Sequence, residues 1–260
     1  MADTLQGTTV LVTGGAGGLG KAIATGYLDA GANVAICDIH EERLAQTRSE
    51  FEETGRFLAV YTDITDEAAV EKLVDAVVGR FGRLDILVNN AGMADTFDPV
   101  GSTSKAQWDR VIGLNLTGSF LATKAAVNAM ENQAPSGGTI IQIGSTSSSR
   151  GTAAGLAYTV SKHGVAGLVK NTAGFYGLKG IYAIGLMLGA MTDTNIAEGS
   201  QALGGFNQAT MAESITATFK LEAAIQLKDV AKYCVFLADR SIAATANGSC
   251  ITFNKNWPAA

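Results

Sequence analysis

A short apolar run that leads directly into a cluster of glycines, at residues 10–20, is the feature that most restricts the fold. Residues 9–12 are apolar or β-branched, which is typical of a strand covered on both faces of a parallel sheet. Glycine in the turn that follows allows backbone angles that a Cβ would forbid, and lets main-chain N–H groups approach a phosphate. We therefore predict a strand, a tight turn that can hold a pyrophosphate, and a helix over residues 19–30, although a bare glycine pattern also fits a flexible turn.

An acidic residue at the end of the next strand supports the interpretation of the glycine turn as a pyrophosphate site. Asp38 follows the predicted strand 33–37 and lies 24 residues after Gly14, close to the spacing of about 20 residues at which an acid meets the ribose in dinucleotide-binding units. Its carboxylate can accept hydrogen bonds from both ribose hydroxyls, and it would repel a 2′-phosphate. We predict NAD(H) rather than NADP(H), while His40 and Arg43 are close enough in sequence to offer a positive charge.

Strand and helix patterns alternate along the chain. Strands are predicted at 57–61, 84–88 and 139–144, and helices at 66–80, 104–132 and 155–176, with a break in the second helix at 113–118. Asp66 should cap its helix, and Gly79 or Gly82 should end it. This alternation predicts an α/β fold: one doubly wound (Rossmann) parallel sheet with helices on both faces, forming a single domain over residues 1–260.

The composition excludes several classes of protein. Hydrophobic residues make up 47% of the 260 and charged residues 17%, so a large core is possible. A net charge of -5 argues against a nucleic-acid surface. Three widely separated cysteines predict neither a disulfide framework nor a metal site. Residues 1–4 do not resemble a signal sequence, and the longest apolar run, 181–191, is too short for a bilayer, so we expect a cytoplasmic protein without a membrane partner.

Polar residues follow the third and fourth predicted strands. Asp63 could accept from an adenine amino group, or could serve only as a turn carboxylate. The side-chain amides of Asn89 and Asn90 can tie neighbouring loops together, and the small residues Ala91 and Gly92 leave room for a flat ligand. We expect both segments at the ligand-binding edge of the sheet.

A serine, a tyrosine and a lysine are expected to meet at the end of the fifth strand. Tyr158 and Lys162 are four residues apart in a predicted helix, so they share one face, and Ser145 follows the strand. A nearby ammonium favours phenolate and is expected to lower the phenol pKa. Asn115 lies in the helix break among apolar residues, where it could equally be a buried structural amide.

These residues together resemble the short-chain dehydrogenase/reductase family in its compact form. The resemblance covers residues 7–180 and is carried by residues 13–20 (TGGAGGLG), Asp38, Asp63, residues 89–92 (NNAG), Asn115, Ser145, Tyr158 and Lys162, in the family's order. The glycine spacing also fits the family's sugar-nucleotide branch, but the chain length and residues 89–92 favour the compact one.

The resemblance implies an NAD-dependent oxidoreductase that transfers a hydride between the nicotinamide and a secondary alcohol or ketone. Tyr158 would be the acid/base, Ser145 would hold the substrate oxygen, Lys162 would assist the tyrosine and bind the ribose, and Asn115 would hold a water. The cofactor-binding residues it implies are Gly14, Gly18, Leu19, Gly20, Asp38, Asp63, Ile64, Asn90, Ala91, Gly92, Tyr158, Lys162, Gly189 and Met191. Relatives assemble through helices like 104–132 and 155–176, which implies a homodimer or homotetramer.

The last third of the chain departs from the family pattern. Leu188 replaces the proline that fixes the nicotinamide loop, which predicts a less rigid turn, and residues 251–256 replace the usual Asp-Gly-Gly. These changes leave open an NAD(H)-binding protein or regulator with weak or lost catalysis, and an isomerase with tightly held NAD is a third alternative. By the resemblance, residues 188–220 form the substrate cover. No lysine or arginine lies between Lys179 and Lys220, which favours a neutral, moderately apolar substrate.

Overall fold

The computed structural model describes residues 4–258, so the expectations about the first three residues lie outside the described part of the chain. Seven parallel strands form one sheet in the order β3-β2-β1-β4-β5-β6-β7. The strands are β1 (Thr9–Thr13), β2 (Asn33–Asp38), β3 (Phe57–Tyr61), β4 (Ile86–Asn89), β5 (Gly138–Ser145), β6 (Ile181–Leu188) and β7 (Cys250–Phe253). The predicted doubly wound parallel sheet is confirmed.

Ten α-helices are found among residues 4–258. They are α1 (Gly18–Asp29), α2 (Glu41–Phe51), α3 (Glu67–Phe81), α4 (Lys105–Ile112), α5 (Ser119–Asn132), α6 (Leu156–Tyr176), α7 (Glu198–Gln201), α8 (Gln208–Glu213), α9 (Leu227–Phe236) and α10 (Arg240–Thr245). None of these described helices has the length and apolarity that crossing a bilayer requires.

Alternate residues of the strands build two separate cores. Val10 and Val12 pack on one face of the sheet together with side chains of α1, α9 and α10. Leu11 points to the other face, where it packs with side chains of α3, α5 and α6. Both faces of the sheet are therefore covered, which explains why its strands read as nearly continuous apolar runs.

The strand order places the carboxyl ends of β1 and β4 side by side. Successive strands extend outward from β1 in one direction and from β4 in the other, so the chain leaves these two strands toward opposite faces. Such a reversal opens a crevice beyond the carboxyl ends, where doubly wound sheets bind their ligands.

The start of β4 differs from the sequence prediction, and the two ends of α3 agree with it. β4 begins at Ile86 rather than at residue 84, because the backbone N–H and C=O of Leu84 are bonded to the side-chain amide of Gln133 instead of to a strand. Asp66 caps α3 as predicted, by accepting from two N–H groups of its first turn. That helix ends at Gly82, whose φ of 86° suits glycine, and not at Gly79.

The predicted break at 113–118 is a π-helical segment that joins α4 to α5. The wider turn contains Asn115, whose carbonyl oxygen accepts a hydrogen bond from the Ser119 hydroxyl at 2.8 Å. Such segments inside α-helices often coincide with functional sites. The helix is thus locally widened at the residue that sequence reasoning selected, without being interrupted.

Candidate active site

A cleft of about 910 Å³ runs along the carboxyl ends of the strands. Ser145 and all of the predicted cofactor-binding residues line it: Gly14, Gly18, Leu19, Gly20, Asp38, Asp63, Ile64, Asn90, Ala91, Gly92, Tyr158, Lys162, Gly189 and Met191. Among the described residues, Asn115 is the one predicted site residue that does not reach the lining. Residues distant in sequence are therefore brought together as expected.

The glycine turn between β1 and α1 is shaped by close contacts. Gly14 has a φ of 62°, in the left-handed region. A Cβ on Gly20 would collide with the carbonyl oxygen of Gly14 and would lie 2.6 Å from Nδ2 of Asn90. Gly17, at the N-cap of α1, provides no side-chain acceptor for the first turn of the helix. The first backbone N–H groups of α1 are therefore left without a side-chain acceptor. Together with the positive end of the helix dipole, they suit an anionic ligand.

Asp38 lies at the end of β2 and connects two backbone segments. Its Oδ2 accepts from the N–H of Ala16 at 3.2 Å, and its Oδ1 accepts from the N–H of His40 at 3.1 Å. The carboxylate thereby holds the glycine turn beside the start of α2, and it still lines the cleft.

Arg43 of α2 is paired with a residue of the predicted substrate cover. Its Nη2 lies 2.7 Å from both carboxylate oxygens of Glu198 in α7. Asn195 donates to the same carboxylate at 2.6 Å. The hydrogen bond from Arg43 is the largest cause that lowers the pKa of Glu198. The guanidinium of Arg43 is therefore already paired with a carboxylate.

Asp63 and Ile64 line the cleft beyond β3. The carboxylate of Asp63 accepts from the N–H of Thr65 at 2.9 Å and from its hydroxyl at 2.8 Å. It therefore serves as a turn carboxylate, while its role toward an adenine stays a prediction.

The two asparagines after β4 tie neighbouring segments together, which confirms the predicted brace. Nδ2 of Asn90 donates to the carbonyl oxygens of Thr13 and Gly14, at 2.9 and 3.2 Å. Nδ2 of Asn89 donates to the Ser119 carbonyl and the Thr123 hydroxyl in α5. The glycine turn is thus fixed from the side of β4 as well as by Asp38.

Ser145, Tyr158 and Lys162 meet at the end of β5. Ser145 is the last residue of the strand, and it shares a side-chain hydrogen bond with Tyr158. Nζ of Lys162 lies 5.5 Å from the centre of the Tyr158 ring and donates to the carbonyl oxygen of Ile143 at 2.9 Å. Tyr158 is 9% exposed and Lys162 is 4% exposed, so water screens these groups only weakly.

Burial dominates the proton affinities at this site. It raises the pKa of Tyr158 to about 12, although the hydrogen bond with Ser145 acts in the opposite direction. It also lowers the pKa of Lys162 to about 8. The expectation of a lowered phenol pKa is therefore wrong for this structure, because the loss of solvent around the phenol, together with the negative charge of Asp95, outweighs the hydrogen bond with Ser145.

Asn115 lies behind the cleft and connects three segments. Its Oδ1 accepts from the N–H of Met93 at 2.9 Å, and its Nδ2 donates to the Met93 carbonyl at 3.0 Å and to the Ser161 hydroxyl at 3.2 Å. The side chain is 1% exposed. It is a buried structural amide, as the alternative interpretation proposed, and it braces α6 next to Lys162. A role in holding water stays a prediction.

Sequence reasoning missed Asp95 and three aromatic residues of the cleft wall. Phe97 and Phe206 pack edge to face with their centres 5.5 Å apart, and Trp257 lines the same cavity. Asp95 is 1% exposed and also contributes to the wall. An acid three residues after Gly92 was a usable signal for Asp95, whereas the aromatic residues come from distant segments that only the fold brings together.

Comparison with known proteins identifies the family. The short chain dehydrogenase family model matches residues 8–202. A short chain dehydrogenase/reductase, dpchG, of Colletotrichum higginsianum is 44% identical over 97% of this chain and 94% of its own length. The 3beta-hydroxysteroid dehydrogenase 2 of Eggerthella lenta is 34% identical over 98% and 96%. A crystal structure of an actinorhodin polyketide ketoreductase variant with NADPH has a TM-score of 0.84 at 27% identity and covers 100% of both chains. This chain belongs to the short-chain dehydrogenase/reductase family.

Proposed function

We propose that the protein is an NAD-dependent oxidoreductase that interconverts a secondary alcohol and its ketone. The observation that carries this proposal is the meeting of Ser145, Tyr158 and Lys162 at one end of the cleft whose other walls suit a dinucleotide. Membership of the family supports an oxidoreductase with a nicotinamide cofactor. One relative is named as a dehydrogenase of a hydroxysteroid, which agrees with this reaction class.

The glycine turn has the close-packed shape that the pyrophosphate of a dinucleotide requires. The collision that a Cβ on Gly20 would cause, and the left-handed φ of Gly14, describe a cradle that only glycine can form. The turn and the start of α1 would hold the pyrophosphate, and residues at the ends of β4 and β6 would border the nicotinamide. When bound, the nicotinamide supplies or accepts the hydride.

Asp38 supports NAD over NADP. Its carboxylate lines the cleft after β2, where a 2′-phosphate would meet like charge. The nearby Arg43 is engaged by Glu198 in a two-point ion pair and is not available without breaking it. The cofactor preference therefore rests on one unopposed carboxylate.

The three polar side chains have separate roles in the proposed reaction. The Ser145 hydroxyl binds the substrate oxygen and keeps it next to the phenol. Tyr158, whose pKa of about 12 keeps it protonated at neutral pH, donates its proton to the oxygen of a ketone as that oxygen gains charge. The Lys162 ammonium stabilises the phenolate that remains. In the reverse direction, the phenolate removes the alcohol proton.

The wall beside Tyr158 favours a neutral, moderately apolar substrate. Met93 and Ala154 pack with Tyr158, and the lining of the cleft includes further aromatic and aliphatic side chains: Phe97, Ile196, Phe206, Met211 and Trp257. Such a wall binds rings and alkyl groups through burial of apolar area. We therefore propose an alicyclic ketone as the kind of substrate that the site accepts.

Reduction of decalone, a neutral bicyclic ketone, by NADH tests the proposal. The wild-type protein should oxidise NADH in the presence of decalone, and Tyr158→Phe should reduce kcat at least about 100-fold, the scale of general acid catalysis, while it still binds NADH. Tyr176→Phe makes the same chemical change at the end of the same helix and should leave kcat unchanged. Activity retained in Tyr158→Phe would reject the assigned acid. NADH binding without turnover of any alicyclic ketone would instead favour a dinucleotide-binding regulator.

The cofactor preference has its own test. The ratio of kcat/KM for NADH to that for NADPH should exceed about 10 in the wild type and fall in Asp38→Ser, because one removed like charge at this site is worth at least about 1.4 kcal/mol. A wild-type protein that prefers NADPH would contradict the assigned role of Asp38.

We also propose a cytoplasmic homodimer or homotetramer that assembles through α5 and α6. Phe120 in α5 and Val160 in α6 are 45% and 36% exposed in the single chain, so both apolar side chains are available for burial against a second copy. Light scattering should give a multiple of 26.8 kDa, and the mass of one chain would contradict the assembly.

A further inference from the structure

Asp95 is a buried carboxylate that receives three backbone N–H groups. It lies in the loop between β4 and α4. Its Oδ1 accepts from Phe97 at 3.1 Å and from Gly155 at 3.0 Å, and its Oδ2 accepts from Tyr158 at 2.9 Å. Because a buried carboxylate is unfavourable unless its oxygens are bonded, these contacts are the condition for placing a charge there.

Asp95 supplies the cap that α6 lacks in its own sequence. The N-cap residue of α6 is Gly155, which has no side chain to accept from the first turn. Asp95 accepts from the third residue of the helix, Tyr158, and the carbonyl oxygen of Asp98 in the same loop accepts from the first, Leu156, at 2.9 Å. A negative charge at this end is also favoured by the helix dipole.

Glycine at the N-cap follows from the presence of the carboxylate. A Cβ on Gly155 would lie 2.6 Å from Oδ2 and 2.7 Å from Oδ1 of Asp95. No real Cβ contact is so short, so either the carboxylate or the helix would have to move. Gly155 and Asp95 are therefore a matched pair.

The same carboxylate also orients the substrate wall. Phe97, whose N–H it accepts, has a φ of 64°, which a non-glycine residue rarely adopts. The carbonyl of Phe97 accepts from the Thr210 hydroxyl of α8 at 2.7 Å, and its ring packs against Phe206. Asp95 thus connects the backbone of Tyr158 to the wall against which a substrate ring would lie.

We propose that Asp95 is a positioning residue that fixes the Tyr158 phenol relative to the substrate wall. The inference rests on the proposed function, in which Tyr158 is the acid. A displacement of about 1 Å at a reacting group can cost about 100-fold in rate, and Asp95 holds the backbone N–H of the residue that carries the phenol.

The charge of Asp95 provides a second quantity to measure, the pKa of Tyr158. The negative charge raises the pKa of Tyr158. The titratable groups that face the phenol are Asp95 from the β4–α4 loop and Lys162 from its own helix, and Asp98 lies near enough to affect Asp95. Removal of the Asp95 charge should therefore lower the pKa of Tyr158, whereas a defect that leaves this charge and the burial of the phenol intact should not.

Asp95→Asn is the direct test, because it keeps the shape but removes the charge and one acceptor. With decalone and NADH, kcat should fall about 100-fold. The Kd for NADH should stay within about twofold, because the glycine turn is untouched. The phenolate titration of Tyr158 should move to lower pH. That titration is the ultraviolet difference between each protein and its Tyr158→Phe counterpart. Asp239→Asn, which changes the carboxylate that caps the distant α10, should alter none of these quantities.

A folded Asp95→Asn protein with wild-type kcat and an unmoved titration would overturn the proposal. If Asp95→Asn does not fold, Gly155→Ala alone and together with Asp95→Ala replaces it. The loss of kcat caused by Gly155→Ala, measured against Asp95→Ala in the double variant and against wild type in the single one, should be at least about twofold smaller when the carboxylate is absent. Equal losses would reject the pairing of Gly155 with Asp95. A wild-type protein without turnover would contradict the proposed function instead, and the titration would still decide whether Asp95 acts on Tyr158.

Discussion

Lys162→Met is expected to stabilise the cofactor-free protein at neutral pH while it removes activity. The ammonium of Lys162 is 4% exposed, and burial lowers its pKa from 10.5 to about 8. The ammonium donates a hydrogen bond to the carbonyl oxygen of Ile143 at 2.9 Å. A charge retained in such surroundings lowers stability, and its presence is therefore explained by function rather than by folding.

The magnitude follows from the two pKa values. A difference of one in pKa corresponds to about 1.36 kcal/mol, so the fall to about 8 represents about 3 kcal/mol of unfavourable free energy when the amine is charged in both states. Methionine removes this cost but leaves the Ile143 carbonyl without its donor, which costs about 1 to 3 kcal/mol. We expect a net gain of about 1 kcal/mol in the free energy of unfolding at pH 7.

The same pKa difference determines how the free energy of unfolding changes with pH. Between pH 8 and 10.5 the unfolded chain still holds a proton on this amine that the folded chain has released, so the free energy of unfolding of the wild type should rise with pH across that window. Below pH 8 the unfavourable contribution is complete and constant. The rise attributable to Lys162, about 3 kcal/mol, should be absent in Lys162→Met.

Urea unfolding at pH 7, 8, 9 and 10, followed by far-ultraviolet circular dichroism under reducing conditions, measures this difference. Tyrosines and cysteines also titrate in this range, so the quantity to compare is wild type minus variant, in which their contributions cancel. Lys72→Met, which alters an exposed lysine of α3, should give a constant difference at all four pH values. A Lys162→Met protein that is less stable at pH 7 and keeps the wild-type pH slope would refute the reasoning.

Two further predictions concern the glycine turn and the cleft wall. Gly20→Ala should weaken NADH binding more than about 10-fold in a fluorescence titration, because the new Cβ would collide with the Gly14 carbonyl, whereas Gly79→Ala, a helical position with nothing within 4 Å, should leave binding unchanged. Trp257→Ala should raise the KM for decalone about 10-fold with little change in kcat. The indole lines the cleft and packs on Phe219, with the ring centres 4.9 Å apart. A fall in kcat at constant KM would contradict a role in binding alone.

The parts of the site that could be predicted from sequence are those set by local pattern. The glycine turn, the acid after β2 and the pair four residues apart on α6 each depend on a few consecutive residues and on the rule that parallel strands end at one edge. Asp95 could not be assigned in this way, since its partners Gly155 and Tyr158 are 60 and 63 residues away. The phenol pKa also depends on how completely the fold excludes water, and spacing alone gives no measure of that.

Leu188, which stands where the family pattern has a proline, is held by both neighbouring strands. β6 continues to Leu188, which is in register with Ser145 on one side and with Phe253 on the other. The next residue, Gly189, donates to the carbonyl of Phe253 at 3.0 Å, and a Cβ there would lie 2.8 Å from Cα of Asn254. The start of the loop is therefore fixed by two neighbouring strands and a close backbone approach, so it does not need the fixed φ of proline. The same register places Leu188 beside Ser145, and Leu188 lines the cleft, so the departure from the family pattern at this position borders the residue that is proposed to hold the substrate oxygen.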